Sequence, residues 1–232
     1  MRKTILAALL TIAAGGYAFS NEIYIDQIGD NLDLDIIQAG SGNRVGDIGT
    51  TTPITLNGDD MTFSITQTGD NNTIDAVING NTYTGTWVFI GNSNTVDLTC
   101  SSLDTTTCET VTLDITTNGD SNAFNIYIGE VASADSLIAD FTVDGDGNII
   151  TANLDSPNAD ITFIVDNSAS MLGGNTINID QDGLGGANGH SITYDVTGGG
   201  NTINITQSGL NDQTVSVTTV GDGQTVDITQ SD

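Results

Sequence analysis

The chain of 232 residues carries 30 acidic and only three basic residues, which gives a formal net charge of −27 at pH 7. This balance excludes nucleic acid and anionic membrane surfaces as partners, because both are bound through basic patches that the sequence does not contain. The 28 glycines, the few aromatic residues and the predominance of Asp over Glu indicate an all-β chain with many tight turns.

Residues 1–20 have the organisation of a secretory signal peptide. Arg2 and Lys3 precede an apolar run over residues 5–14, and small residues follow it. The run is shorter than the roughly 20 apolar residues that a transmembrane helix needs, and no later segment approaches that length. We therefore expect a secreted chain in which residues 21–232 form a single domain that does not insert into a membrane.

One short strand phrase recurs along the rest of the chain. Its clearest copies are residues 21–27 (NEIYIDQ), 175–181 (NTINIDQ), 201–207 (NTINITQ) and 224–230 (QTVDITQ). Positions one, three, five and seven are amide, apolar, apolar and amide, and polar residues fill the alternate positions. This period of two is typical of a strand with one buried face, and its recurrence predicts a stacked repeat protein.

The phrases come in pairs with a regular spacing. In seven of eight pairs the seventh positions are eleven residues apart, as for Gln27 with Gln38 and Gln67 with Ile78. The connecting arc often has the pattern Gly-x-x-Asn, in which glycine adopts positive φ at little cost and Asn bonds to nearby backbone. A strand, an arc and a second strand form one rung, so we predict a two-sided β-solenoid of about eight rungs.

The flanking amides of each phrase point inward, where an unpaired amide would be costly. Stacked in register, each amide can hydrogen bond to its counterpart one rung away, which gives Asn and Gln ladders. The expected ladder amides are Asn21, Gln27, Gln38, Gln67, Asn72, Asn94, Asn122, Asn148, Asn175, Gln181, Asn201, Gln207, Gln224 and Gln230. The expected turn glycines are Gly29, Gly40, Gly69, Gly91, Gly119, Gly145, Gly198, Gly209 and Gly221.

Cys100 and Cys108 close a short loop made mainly of Ser, Asp and Thr residues. In an exported chain such a pair is expected to be oxidised. A metal site would need further Cys or His ligands nearby in the sequence, and there are none. We therefore predict a disulfide.

Inserts of unequal length separate the pairs. The longest extends from about residue 40 to residue 60 and contains Arg44 and Pro53, and we expect it to form a loop that bulges from one edge of the solenoid.

Acidic residues recur in the middle outward position of the second strand of each pair. Asp35, Asp75 and Asp97 are expected to stack there as neighbours, with a repulsion of roughly 1 kcal/mol per pair even in water. Two interpretations remain open. The acids form a solvated face, or they hold loosely bound cations such as calcium that control assembly.

No set of residues predicts catalysis. His190 is the only histidine and opens a strand, so no Ser-His-Asp arrangement can be assigned. We expect neither an enzyme nor a resident cofactor, and we assign no catalytic or metal-binding residue.

Residues 196–207 (VTGGGNTINITQ) resemble, from their first glycine onward, the curlin repeat motif Gln-x-Gly-x-x-Asn-x5-Gln. Residues 38–43 and 67–72 contain the front half of the same motif. The resemblance extends over nearly all of residues 21–232. It implies a subunit of curli-type amyloid fibres, which bind Gram-negative bacterial cells into biofilm. It also implies self-assembly, a nucleator subunit and an outer-membrane secretion channel.

Two functions follow from these features. The phrases at residues 21–27 and 224–230 leave no room for a cap, and we expect their bare edges to favour end-to-end polymerisation. Outward Thr columns, which include Thr62, Thr84 and Thr214, resemble those of ice-binding solenoids. The alternative is therefore a monomeric acidic adhesin or a cation- or ice-binding surface protein.

Overall fold

The computed structural model describes residues 23–40, 42–46, 53–69, 71–91, 93–100, 108–119, 121–129, 136–145, 147–156, 158–167, 174–181, 190–208, 213–221 and 223–231. These residues contain eighteen strands and no helix. The predicted signal peptide lies outside the described residues.

The strands, in chain order, are β1 (Asp26–Ile28), β2 (Asp33–Ala39), β3 (Arg44–Val45), β4 (Ile54–Asn57), β5 (Met61–Thr68), β6 (Asn71–Asn79), β7 (Thr82–Ile90), β8 (Ser93–Cys100), β9 (Thr110–Asn118), β10 (Ser121–Ile128), β11 (Ser136–Asp144), β12 (Gly147–Leu154), β13 (Ala159–Asp166), β14 (Asn175–Gln181), β15 (His190–Thr197), β16 (Thr202–Ser208), β17 (Gln213–Val220) and β18 (Thr225–Ser231).

Two parallel sheets are built from these strands. The first sheet has ten strands in the order β1-β4-β6-β8-β10-β12-β14-β16-β18, with β3 also pairing with β6. The second sheet has eight strands in the order β17-β15-β13-β11-β9-β7-β5-β2. From β5 onward, successive strands alternate between the sheets, so the chain winds in coils that each add one strand to either side. The predicted two-sided β-solenoid is confirmed.

The core lies between the two sheets and consists of the inward residues of each strand. Burial alternates along the strands, as in β9, where every second residue is buried. Aromatic side chains stack from rung to rung on the inner face of the second sheet. The Trp87 ring meets Phe63 edge to face at 5.7 Å, and the rings of Phe141 and Phe163 stack at 4.4 Å between centroids. Such pairs stabilise beyond the area they bury.

The prediction of an edge loop over residues 40–60 is wrong in part. β3 and β4 both pair with β6, with Val45 opposite Ile74 and Ile54 opposite Ala76. Val45 and Ile54 are fully buried. Together the two segments form one strand of the first sheet that is interrupted between its apolar positions. Because the insert falls in the middle of the phrase, the sequence pattern of this strand is hidden.

A disulfide joins Cys100 and Cys108, whose Cα atoms are 5.9 Å apart. Both residues are buried, and Cys100 lies between Ile78 and Ile128 in an inner column of the first sheet. The bridge is therefore part of the core, although residues 101–107, which it encloses, lie outside the described residues.

Candidate functional site

A continuous ladder of asparagines extends along one inner edge of the first sheet. In each bond the side-chain Nδ2 of one residue donates to Oδ1 of the residue in the next rung, at 2.7–3.2 Å. The members, in order, are Asn43, Asn72, Asn94, Asn122, Asn148, Asn175 and Asn201, and all are buried. Asn43 is absent from the expected set, although the segment from Gly40 to Asn43 has the Gly-x-x-Asn arc pattern that identifies it.

The arcs before these asparagines fix the ladder in place. Asn148 donates to the carbonyl oxygen of Gly145 in its own arc at 2.9 Å, and Asn175 donates to that of Gly198 one rung away at 3.0 Å. The arcs also stack closely, since a Cβ atom on Gly69 would lie 1.5 Å from the carbonyl oxygen of Gly40. Only glycine fits this spacing.

The expected turn glycines occupy equivalent places in the fold. Each of the described ones follows directly on the end of a strand, and Gly209 lies outside the described residues. Those that follow a strand are Gly29, Gly40, Gly69, Gly91, Gly119, Gly145, Gly198 and Gly221.

Glutamines form two shorter ladders at the opposite end of the phrase. In the second sheet Gln67 Nε2 donates to Gln38 Oε1 at 2.6 Å. In the first sheet Gln207 donates to Gln181 at 3.2 Å and Gln230 donates to Gln207 at 3.1 Å. In both sheets the donor belongs to the later rung, so the glutamines are oriented opposite to the asparagines.

Two expected ladder amides bond to backbone instead. Gln27 donates to the carbonyl oxygen of Gly29 at 2.6 Å, because its neighbour in the next rung is the apolar Leu56. Gln224 donates to the carbonyl oxygen of Gly221 at 2.8 Å and is exposed. Asn21 lies outside the described residues.

The last rung is the most open part of the described structure. No described strand pairs with the outer edge of β17 or β18, and every residue of β18 is exposed. Val226 and Ile228 are 39% and 45% exposed, whereas Ile203 and Ile205, their register partners in β16, are fully buried. Asn201 is also fully buried, yet its Nδ2 has no hydrogen-bond partner. This rung therefore has the inner face of a middle rung without a covering strand.

The first rung is open in the same way. β1 and β2 are the end strands of their sheets, and Ile23, Ile25 and Leu34 are only partly buried against the core. The two ends of the described stack thus expose the same kinds of inward residue.

The predicted acidic column is partly wrong. Asp75 and Asp97 are direct register partners on the outer face of the first sheet, but Asp35 lies on β2 of the second sheet, opposite Ser64. The interrupted β3–β4 strand adds a strand to the first sheet between the first two pairs of phrases. As a result, the second strand of the first pair (β2) lies in the second sheet, whereas the second strands of later pairs, such as β6 and β8, lie in the first sheet. The pKa of the Asp75 carboxyl is raised by partial burial and then by the charge of Asp97, and partial burial raises the pKa of Asp97.

No described part of the chain brings together three or more His, Cys, Asp or Glu side chains that could hold a metal ion. His190 is the first residue of β15.

Threonine columns occur on the outer face of the second sheet. Thr62, Thr84 and Thr112 are register partners on three successive strands, and Ser64 lies opposite Thr86. The next residue in the second of these columns is an aspartate, Asp114, so the hydroxyl array is limited to a few rungs.

Comparisons with protein-family models, with curated proteins and with solved structures found no match. Among the described residues there is also no helix of the length and apolarity needed to cross a bilayer.

Proposed function

We propose that the protein is a secreted structural subunit that polymerises end to end into extracellular curli-like fibres of a biofilm matrix. The observation that supports this best is the pair of open end rungs. Among the described residues, β18 and β17 have unpaired edges beside partly exposed apolar residues, and β1 and β2 have the same at the other end. Unpaired parallel strands with an apolar face are templates for a further strand.

The register within the chain defines how two copies would meet. In the strand phrase, Val226 and Ile228 of β18 occupy the positions of Ile23 and Ile25. Stacking the first rung of one copy on the last rung of another therefore places apolar residue on apolar residue. The second sheet matches too, since Val215 continues the inner column that begins at Leu34.

The glutamine ladder also continues across such a junction. Gln230 is the last member of the ladder in the first sheet, and Gln27 occupies the same phrase position in the first rung. With the polarity of the ladder inside the chain, Gln27 Nε2 would donate to Gln230 Oε1 and would give up its bond to the carbonyl oxygen of Gly29. A second copy would bring these two amides together at one rung spacing.

Charge is expected to regulate the assembly. A chain of net charge −27 stacked on its own copies repels itself, and salt or loosely bound cations such as calcium would screen that repulsion. Export from a Gram-negative cell through an outer-membrane channel and initiation by a nucleator subunit belong to the same proposal, which the curlin-like repeat pattern supports.

Electron microscopy of residues 21–232, diluted from denaturant into saline buffer, tests the proposal. We expect unbranched fibres with a meridional reflection near the ~4.8 Å spacing of stacked strands. Ile228→Lys places a charge on the inner face of β18 and should abolish fibre formation. Thr229→Lys places the same charge on the adjacent outward position and is the matched control. A folded wild-type monomer that persists, or equal assembly of the two variants, would contradict end-to-end stacking.

The alternative is a monomeric adhesin or ice-binding surface protein, and the in-register column of Thr62, Thr84 and Thr112 favours it. A monomeric chain that inhibits ice recrystallisation, with the activity lost in Thr84→Lys, would support this alternative.

A further inference from the structure

A groove of about 340 Å³ crosses the outer face of the first sheet. It lies between two outward columns of side chains, one containing Asn178 and Asn204 and the other containing Tyr127, Asn153 and Asp180. The columns extend over β10, β12, β14 and β16, so the groove follows the solenoid axis rather than a strand. Three strand spacings give it a length of roughly 14 Å.

The side chains along the groove are polar but almost free of formal charge. Asn178 and Asn204 each present an amide, which both donates and accepts hydrogen bonds, and their amide groups approach to 3.3 Å. Asp180 is exposed and supplies carboxylate acceptors, and Thr206 supplies a hydroxyl group. A ligand that fits this set must donate and accept at closely spaced points, as a row of hydroxyl groups does.

Tyr127 adds a flat apolar wall to the groove. Its side chain is half-buried, whereas every other aromatic residue of the described chain except Tyr24 is buried in the core. An outward aromatic ring beside amides and a carboxylate gives one apolar surface and several hydrogen-bonding groups, which matches the two faces of a sugar ring.

Other classes of ligand fit less well. An anionic ligand would meet Asp180 and a chain with a net charge of −27. A peptide strand gains its affinity from free backbone groups at a sheet edge, but here the strands are internal and pair on both sides. An apolar ligand would leave the amides without partners.

We propose that this groove binds a segment of a linear, uncharged polysaccharide that lies along the solenoid axis. The Tyr127 ring contacts the C–H face of one sugar, and Asn178, Asn204 and Asp180 hydrogen bond to hydroxyl groups of its neighbours. The site belongs to a single chain and does not depend on end-to-end assembly. On an assembled fibre it would recur once per subunit, so that many weak sites would act together.

Isothermal titration of residues 21–232 with cellohexaose, an uncharged linear glucan, tests the inference. We expect saturable binding that Asn178→Ala weakens by about tenfold, as expected for loss of a hydrogen-bonding side chain in a shallow site. Asn125→Ala is the matched control, because Asn125 is exposed in the same outward column, opposite Thr151, but does not line the groove. Tyr127→Ala should also lose binding.

Three results would overturn the inference. They are absence of binding at millimolar cellohexaose, equal binding by the Asn178 and Asn125 variants, and stronger binding of an anionic oligouronate than of cellohexaose. Both asparagines are exposed, so the comparison does not depend on the folding of the Tyr127 variant. The titration reports sugar binding whether or not fibres form, so the outcome is separate from that of the assembly experiment.

Discussion

The asparagine and glutamine ladders of this solenoid contain the same chemical group but differ in continuity. The asparagines form six successive bonds from Asn43 to Asn201. The glutamines form one bond in the second sheet and two in the first. Other residues occupy the remaining rungs of these columns, such as Leu56 and Ile78 in the first sheet and Phe89 and Thr117 in the second. The difference follows from the contacts that each side-chain amide makes with backbone groups, in addition to its bonds within the ladder.

Asparagine lies beside the arc, where the amides of Asn122, Asn148 and Asn175 also donate to glycine carbonyls of their own or a neighbouring arc. These asparagines therefore hold the turns in place as well as linking two rungs. Glutamine lies at the other end of the strand phrase, where backbone groups pair with each other, as Gly91 N–H does with Asn118 C=O at 3.0 Å. Of the ladder glutamines in the second sheet, Gln38 also donates to the carbonyl oxygen of Arg44, at 3.1 Å. An apolar residue can replace a whole glutamine column without leaving the backbone unpaired.

The cost of the glutamine ladders lies at their ends. Gln67 faces Phe89 in the next rung, and its Oε1 has no hydrogen-bond partner. At the start of the first-sheet ladder, Gln181 faces the apolar Leu154 in the preceding rung, because the residues before them, Asp180 and Asn153, are register partners. The Nε2 atom of Gln181 has no hydrogen-bond partner either. A ladder is therefore favourable in its interior and unfavourable at a boundary with apolar residues.

The largest effect should come from interrupting the asparagine ladder in the middle. Asn122→Leu removes both ladder bonds and leaves Asn94 Nδ2 and Asn148 Oδ1 buried without partners. We expect a loss of about 2–5 kcal/mol in the free energy of unfolding, measured by urea denaturation of the monomeric chain. Asn125→Leu, on the exposed face of the same strand, should change it by less than about 0.5 kcal/mol. Similar losses in the two variants would contradict the importance of the ladder.

The disulfide lies in the apolar stretch of the first-sheet glutamine column, between Ile78 and Ile128. Replacing both cysteines with alanine should lower the free energy of unfolding by about 2–3 kcal/mol, mainly through the lost constraint on the unfolded chain. Reduction of the wild-type chain should give a comparable loss in thermal or urea unfolding, and the double variant should be insensitive to reductant. A reductant effect that persists in the variant would contradict this assignment.

Substitution of glutamines tests whether an interrupted glutamine ladder destabilises the fold more than removal of the ladder does. Gln207→Leu leaves Gln181 Oε1 and Gln230 Nε2 without their ladder partners and should destabilise by about 1–3 kcal/mol. Gln181→Leu combined with Gln207→Leu removes the buried part of the ladder and should be within about 1 kcal/mol of the wild type. If the double variant loses as much unfolding free energy as the two single variants together, an unpaired glutamine at a ladder end is not the source of the cost.

The smallest expected effect concerns the facing carboxylates on the outer sheet surface. Partial burial raises the pKa of folded Asp97 above its usual value of 3.8, so the folded chain holds the proton more tightly than the unfolded chain. The stabilisation that this gives is present below the unfolded pKa and is lost as pH rises through the raised folded pKa. Asp97→Asn should therefore stabilise at pH 7 by about 0.5 kcal/mol, the scale of a like-charge cross-strand pair. The gain should vanish near pH ~3, where urea unfolding of variant and wild type should coincide.

Much of the fold follows directly from residue order. The alternation around Ile203 and Ile205 identifies the inward face, and the regular spacing of paired phrases predicts strands on opposite sheets. The stacking of glycines and asparagines is predictable too, because identical residues at identical phrase positions meet when rungs stack in register. These features depend on short stretches of chain.

The features that sequence reasoning missed depend on which strands become neighbours. The strand split between Val45 and Ile54 carries no continuous phrase, and without it the sheet assignment of Asp35 cannot be deduced. The groove beside Tyr127 requires four strands whose connections differ in length, so its columns are defined only by the register. The partnerless amides of Gln67 and Gln181 likewise depend on a residue in another rung.

The common orientation of the asparagine amides has an electrostatic consequence. The seven amide dipoles of the ladder, all directed from the first rung toward the last, add along the solenoid axis, much as peptide dipoles add along a helix. The row ends in the unpaired Nδ2 of Asn201, which is its positive pole. The shorter glutamine rows are directed the other way and offset only part of this sum. A strongly anionic molecule therefore contains an internal axis of polarity, which gives its two ends different potentials independently of any ionised side chain.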